Sequence, residues 1–239
     1  MSQLTAIIVG AHSALSQQLA LQLHQQGLTL GLMAADIAPL TPLQQQLNCQ
    51  LMALDIHDTQ AAQTAFEQLW QQLNGADLVI INTAANGLDL ELDWALDKSV
   101  INVNVQGFAA IANIAFKKMV NQKYGQLAAL TSIAADRGGP QQAFHASKAF
   151  QQNYLQGLRL HAQRLKLPII ISDLRLGYLD KMQGQGSRFW AAPVTKIARQ
   201  ILNGLQKGRS TIYVTRRWRF AAWVIRCLPE YIYNRRRYR

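Results

Sequence analysis

The chain has 239 residues, 49% of them apolar, enough to bury one full core without disulfide or metal staples. Its two cysteines, Cys49 and Cys227, stand far apart, which excludes a disulfide scaffold and points to a reducing compartment. From Lys207 onward ten basic residues meet one acid, Glu230, so that segment carries +9 of the net +11 and the preceding chain is near neutral; the basic character is expected in a tail and no basic nucleic-acid face on the domain.

In chain order, "TAIIVG" reads as a buried strand ending in a glycine turn. The residues before it lack the basic region of a secretion signal, so none is expected. "SALSQQLALQLHQQG" is an amphipathic helix with Leu15, Leu19 and Leu23 on one face and Gly27 as its stop. "LTLGLMA" is a second strand, followed by a helix from about Pro39 to Leu47. "QLMALD" is a third strand, and "TQAAQTAFEQLWQQLNG" a helix that ends at Asn74-Gly75. "DLVIIN" is a fully apolar fourth strand. After a loop, Trp94 to Met119 reads as one long helix. "QLAALTS" is the fifth strand, Gln142 to Leu165 a helix, and "LPIIISDLR" a sixth strand. A glycine-containing loop precedes a helix from Pro193 to Gln206 and a last strand, "TIYVT".

Alternating strands and helices with apolar strands imply an α/β fold, a Rossmann-like doubly wound parallel sheet in three layers. One domain is expected over 1–215 and a basic aromatic tail, a C-terminal amphipathic helix, over 216–239. No apolar run is read as reaching the ~20 residues of a membrane span. The five histidines are scattered, so no metal is expected.

The first strand runs into "VGAHSALSQQLA", where a doubly wound fold places a dinucleotide's pyrophosphate at a helix N-terminus. Gly10 is the one glycine there, with Ala14 and Ser16 where two more would sit. A plain strand-to-helix turn that uses Gly10 for its positive φ fits the same residues.

Further motifs follow in order, and together they resemble the short-chain dehydrogenase/reductase family over essentially the whole chain. Its T-G-x-x-x-G-I-G corresponds to Val9-Gly10-Ala11-His12-Ser13-Ala14-Leu15-Ser16. Its acid after the third strand, which holds adenine, corresponds to Asp55, followed by Ile56. Its N-N-A-G corresponds to Asn82-Thr83-Ala84-Ala85, its N-V-x-G to "NVQG" at Asn104, its catalytic serine to Ser132, and its Y-x-A-S-K to Phe144-His145-Ala146-Ser147-Lys148. The resemblance implies cofactor contacts from Gly10, Ser13, Ala14, Leu15, Asp55, Ile56, Asn82, Ala84 and Lys148. It implies catalytic roles for Ser132, Asn104 and Lys148. "TSIAADRG" and the basic tail are similar to a narrower group, the reductases that act with a flavin oxidase on decaprenylphosphoryl-ribose.

The cofactor choice is read at the end of the second strand, where an acid takes a ribose hydroxyl or an arginine a 2′-phosphate. Ala34 and Ala35 stand there, with Asp36 one step later, so NADP or NAD stays open. The chemistry needs a proton donor three or four residues before Lys148. Phe144 has no proton to give; His145, thirteen residues after Ser132, is the titratable alternative, and an ordinary solvated helix residue is the competing reading. In "LGYLDK", residues 176–181, the proline and threonine of the family's P-G-x-V-x-T are missing.

In the tail, Phe220, Trp223, Val224, Cys227 and Leu228 form an apolar stripe flanked by Trp218, Tyr231 and Tyr233 among arginines. That pattern suits an anionic membrane surface and suits packing against the domain or a partner. The expected whole is a cytoplasmic oxidoreductase, peripheral at the inner membrane surface, acting on a small-molecule or lipid-linked ketone or secondary alcohol. A homodimer or homotetramer is expected and nucleic acid is not. A degenerate relative that binds a dinucleotide without turnover is the alternative.

Overall fold

Alternation divides the first strand between two interiors: Ala6 and Ile8 turn to one face of the sheet, Ile7 and Val9 to the other, and all four are fully buried. A strand buried on both faces belongs in a parallel sheet covered by helices. The computed structural model, which describes residues 3–87, 91–177 and 192–235, has that architecture. Its seven strands are β1 (Thr5–Val9), β2 (Thr29–Ala34), β3 (Gln50–Ala53), β4 (Leu78–Ile81), β5 (Gly125–Ser132), β6 (Ile169–Leu176) and β7 (Thr211–Val214). They lie in the order β3-β2-β1-β4-β5-β6-β7, every pair parallel. The chain winds outward in both directions from β1 and β4. The crevice beyond their C-terminal ends is therefore where a doubly wound fold binds ligand.

Two cores follow. On one face α1 (Ala14–Gln25), α2 (Thr41–Leu47) and α7 (Val194–Gln206) bury Leu15, Leu19, Leu23, Leu47, Ile197 and Ile201 against the sheet. On the other, α3 (Thr59–Gln72), α5 (Phe108–Gln122) and α6 (Gln142–Leu165) bury Phe66, Leu69, Phe108, Phe116 and Leu155. Full burial of one such side chain contributes about 1.5–3 kcal/mol.

The long helix expected over 94–119 is three segments in line: α4 (Trp94–Ile101), a π segment (Asn102–Gly107) and α5. A π turn accommodates one extra residue, and an added residue leaves the apolar pattern around it legible as helix. The segment swells where Gly107 presses on Ile56; a Cβ on Gly107 would come within 2.3 Å of the Ile56 side chain. The run Trp94–Gln122 reaches a mean hydropathy of 1.3 and is, by length and composition, long enough to cross a membrane, which corrects the reading that no run was. Half of it is buried in the domain, where Ile111, Ala115 and Met119 pack on the sheet, so its hydropathy is that of a core helix.

The tail forms α8 (Trp218–Cys227) and α9 (Glu230–Tyr233). Its inward face differs from the expected stripe. Trp218 and Ala222, one turn apart, are 7% and 1% exposed, whereas Phe220 and Trp223 are 67% and 61% exposed. The indole of Trp218 occupies the space left by Gly177, where a Cβ would meet it at 2.1 Å. Two small residues, Gly177 and Ala222, thus select the docking face, and helical periodicity alone does not reveal them.

Candidate active site

The crevice is lined first by the turn after β1. Gly10 has φ +85°, and a Cβ there would lie 2.1 Å from the carbonyl oxygen of Asn82 at the end of β4. The two strand ends can come this close only with glycine. Ser13 caps α1: its Oγ accepts from the Ser16 amide at 3.0 Å, and its carbonyl accepts from the Gln17 amide. The amides of Ala14 and Leu15, in the same first turn, have no intrahelical acceptor and are available to an anion. Asn82 donates to Ser13 Oγ at 2.7 Å and to Ser16 Oγ at 2.8 Å. Ser16, read from sequence as a lost glycine, is therefore a strut that fixes Asn82 against the helix start. The neighbouring Thr83 hydroxyl is buried with no partner among the described residues. Glycine cradle and open first-turn amides together fit a dinucleotide.

After β3, Asp55 Oδ1 accepts from the His57 amide at 2.9 Å and so caps its own turn. The amide of Asp36 donates to His12 Nε2 at 3.2 Å, while Asp36 Oδ1 accepts from the Ala38 amide. Ala84 is exposed and Ile56 half-buried against the second core.

The π segment turns Asn104 fully inward. Its side chain accepts from the Ala85 amide at 2.8 Å, and donates to the Ala85 carbonyl at 2.8 Å and to Ser147 Oγ at 3.0 Å. This ties the loop after β4 to α6. On α6, Lys148 is 3% exposed; its Nζ donates to Gln151 Oε1 at 2.9 Å and to the Leu130 carbonyl at 3.4 Å. Gln151 Nε2 in turn donates to the Asn104 carbonyl at 2.9 Å. Burial pushes the Lys148 amine down from 10.5 to about 8, and the negative charge of Asp173 opposes part of that fall. Gln151 was not singled out in the sequence, although its place three residues after Lys148 was a signal for a shared helix face.

Phe144 lies one turn before Lys148, its ring centroid 5.7 Å from Nζ. His145 turns the other way: its Nδ1 is 2.7 Å from the Arg137 carbonyl, and its ring fills the space beside Gly139. Of the two positions read from the sequence, Phe144 stands beside the lysine, and His145 is held by the loop after β5. Ser132 Oγ accepts from the Ala134 amide at 3.1 Å and caps a 3-10 turn, Ile133–Asp136, leaving its proton a long 3.5 Å contact to the Leu176 carbonyl.

Beneath Ser132 runs a chain of charges that the sequence reading did not include. Thr131 Oγ1 donates to Asp173 Oδ1 at 2.5 Å, and Arg175 Nε donates to Asp173 Oδ2 at 2.7 Å. Arg175 also faces Asp136 at 3.6 Å, and Arg226 of α8 donates to Asp136 through Nε at 2.7 Å. The signal was an acid inside the apolar strand "IIISDLRL", since a buried acid needs a partner. Arg137 donates to the carbonyls of Ile225 and Leu228, the free end of α8, and lies over the Tyr233 ring; Tyr233 donates to the Gly138 carbonyl at 2.6 Å. The tail is thus fastened to the segment that follows Ser132. Residues 178–181 of the glycine-containing loop lie outside the described residues.

Comparisons with known proteins identify the family and the fold. The model of the short chain dehydrogenase family matches residues 4–187. An uncharacterized oxidoreductase of Myxococcus xanthus is 30% identical over 168 residues, 67% of this chain and 66% of that protein, so the match spans just under two thirds of the relative. One from Mycobacterium tuberculosis is 31% identical over 190 residues, 73% and 72% of the two chains. A short-chain type dehydrogenase/reductase from Mycobacterium marinum superposes with a TM-score of 0.78 at 16% identity over 89% of this chain and 94% of that one. Actinorhodin polyketide ketoreductase, solved with NADPH, gives 0.77 at 15% identity over 89% and 95%. At these identities the two structures speak for the fold.

Proposed function

The chain belongs to the short-chain dehydrogenase family, and from that premise we propose that it interconverts a ketone and a secondary alcohol with NAD(P), using Lys148 in place of a phenol to carry the proton. The observation that carries this reading is the buried Lys148–Gln151–Asn104 chain beside a crevice whose glycine cradle fits a dinucleotide. The bound dinucleotide supplies or removes the hydride. The chain's own groups hold the carbonyl oxygen and deliver the proton. Ser132 Oγ is free to turn its weakly held proton to a substrate oxygen. A Lys148 ammonium with its pKa near 8 gives up a proton at neutral pH far more readily than an ordinary lysine. Reduction takes one hydride and this one proton, leaving Lys148 neutral until solvent recharges it.

The finer reading is a ketone on a polyprenyl-phosphate-linked sugar. It is supported by the resemblance of "TSIAADRG" and of the tail to the reductases of that chemistry, and by the fastening of those two segments to each other. A second reading, dinucleotide binding without turnover, is favoured by the Phe144 ring beside Lys148.

The test is oxidation of NADH and NADPH with a panel of ketones, read against calorimetric binding of both cofactors. Turnover that falls at least 100-fold in Ser132→Ala and in Lys148→Met supports catalysis. Binding without turnover, with activity appearing in Phe144→Tyr, supports the second reading. Absence of dinucleotide binding overturns both.

A further inference from the structure

The outer edge of the sheet carries a surface that the oxidoreductase chemistry does not use. A groove of about 1100 Å³ runs between α7, β7 and the start of α8. Lys196, Arg199, Lys207, Arg209, Arg216 and Arg219 line it, and no acid does. Among the described residues none of these six is in an ion pair. Four of them, Lys196, Arg199, Lys207 and Arg209, lie before the tail, so the basic surface belongs jointly to domain and tail, which corrects the expectation that the basic character is the tail's alone.

Arg219 joins this groove to an apolar patch. On α8 it precedes Trp223 by four residues, one helical turn. Phe220 and Trp223 lean on one another with ring centroids 6.0 Å apart, on the face turned away from the domain. Beyond them on α9, Tyr231 and Ile232 are 67% and 42% exposed. Four large apolar side chains thus stand in water beside six uncompensated cations. The domain does not require this: the packing of α8 uses Trp218 and Ala222, and its anchoring uses Arg226 and the carbonyls of its last turn.

We propose that this face docks on an anionic phospholipid bilayer, the cations meeting lipid phosphates and Phe220, Trp223, Tyr231 and Ile232 entering the headgroup boundary. A bilayer is the one partner that uses both halves of the surface. A second copy of the same edge would bring like charges together. A nucleic-acid duplex would engage the cations and leave Ile232 and the paired rings in water. Clustered Lys and Arg beside interfacial aromatics is the composition that binds anionic leaflets reversibly.

The experiment is flotation of the full chain with vesicles of phosphatidylcholine, with and without phosphatidylglycerol, together with quenching of tryptophan fluorescence by bromine-labelled acyl chains. The chain floats with the anionic vesicles and not with phosphatidylcholine alone. Lys196→Gln/Arg199→Gln/Arg209→Gln, all exposed positions that leave the tail sequence intact, weakens binding on the order of 100-fold. Phe220→Ala/Trp223→Ala melts with the parent protein and loses the quenching. Equal flotation on neutral vesicles, full binding by the triple variant, or quenching unchanged without Trp223 would each overturn the proposal. So would competition by duplex DNA in the absence of any acyl-chain quenching, and so would competition by inorganic phosphate alone at matched ionic strength.

Discussion

Lys148 shows how one side chain can oppose folding and serve function. Its amine is pushed down to about 8 from 10.5, chiefly by burial. A base whose folded pKa is depressed binds fewer protons folded than unfolded between those two values. Stability therefore rises as pH climbs from about 8 toward 10.5, and below 8 the burial of the charge costs the fold about 3 kcal/mol. Lys148→Met, which keeps the stem and removes the charge, is expected to raise Tm at pH 7 and to abolish that alkaline rise while destroying turnover. Thermal melts at pH 7 and pH 9.5 check it. Gly10→Ala sets a methyl 2.1 Å from the Asn82 carbonyl at φ +85°; calorimetry is expected to show dinucleotide affinity lost at least tenfold, with destabilisation of ~1 kcal/mol or more. Lys148, Gly10, Asn82 and Asn104 were legible because each occupies a fixed place at a strand end or on a helix. Gln151, Asp173, Arg175 and Asp136 were not, since what makes them matter is a partner on another element.

At the scale of elements, the alternation of strands and helices was legible because every central strand is apolar on both faces, a pattern few other folds produce. The π segment was hidden, as one extra residue changes geometry without changing composition. It turns Asn104 to a position with no water access, where its side chain makes three hydrogen bonds, two with Ala85 and one with Ser147. Asn104→Ala is expected to cost about 2–4 kcal/mol by leaving the Ala85 groups unpaired in the interior, read as a lower denaturation midpoint in urea. In the tail, composition showed an amphipathic helix but not its inward face. Trp218→Ala is expected to cost about 3–5 kcal/mol and Trp223→Ala less than about 0.5 kcal/mol. A reversed ranking in chemical denaturation would contradict the docking described above.

Across the whole molecule, charge is arranged in two ways. Uncompensated cations gather on the outer edge, while Asp173, Arg175, Asp136 and the half-exposed Arg226 alternate in sign from beneath Ser132 to the tail helix. Asp136 is the sensitive member, since its side chain is buried and one carboxylate oxygen has no partner among the described residues. Arg226→Gln leaves that carboxylate with Arg175 alone, and a loss of ~1 kcal/mol is expected, discounted for the half-exposed arginine. Adding Asp136→Asn is expected to recover most of it, a coupling that a double-mutant cycle measures.

The clasp between Asp136 and Arg226 joins residues ninety positions apart, and translation delivers them in that order. A nascent chain stopped at residue 215 already has every strand of the sheet, yet the segment after Ser132 still lacks its cover. Until the last turns of α8 leave the ribosome, Asp136 and Arg137 lack the partners that α8 supplies. The packing of the segment after Ser132 is thereby completed only when the tail has been synthesised.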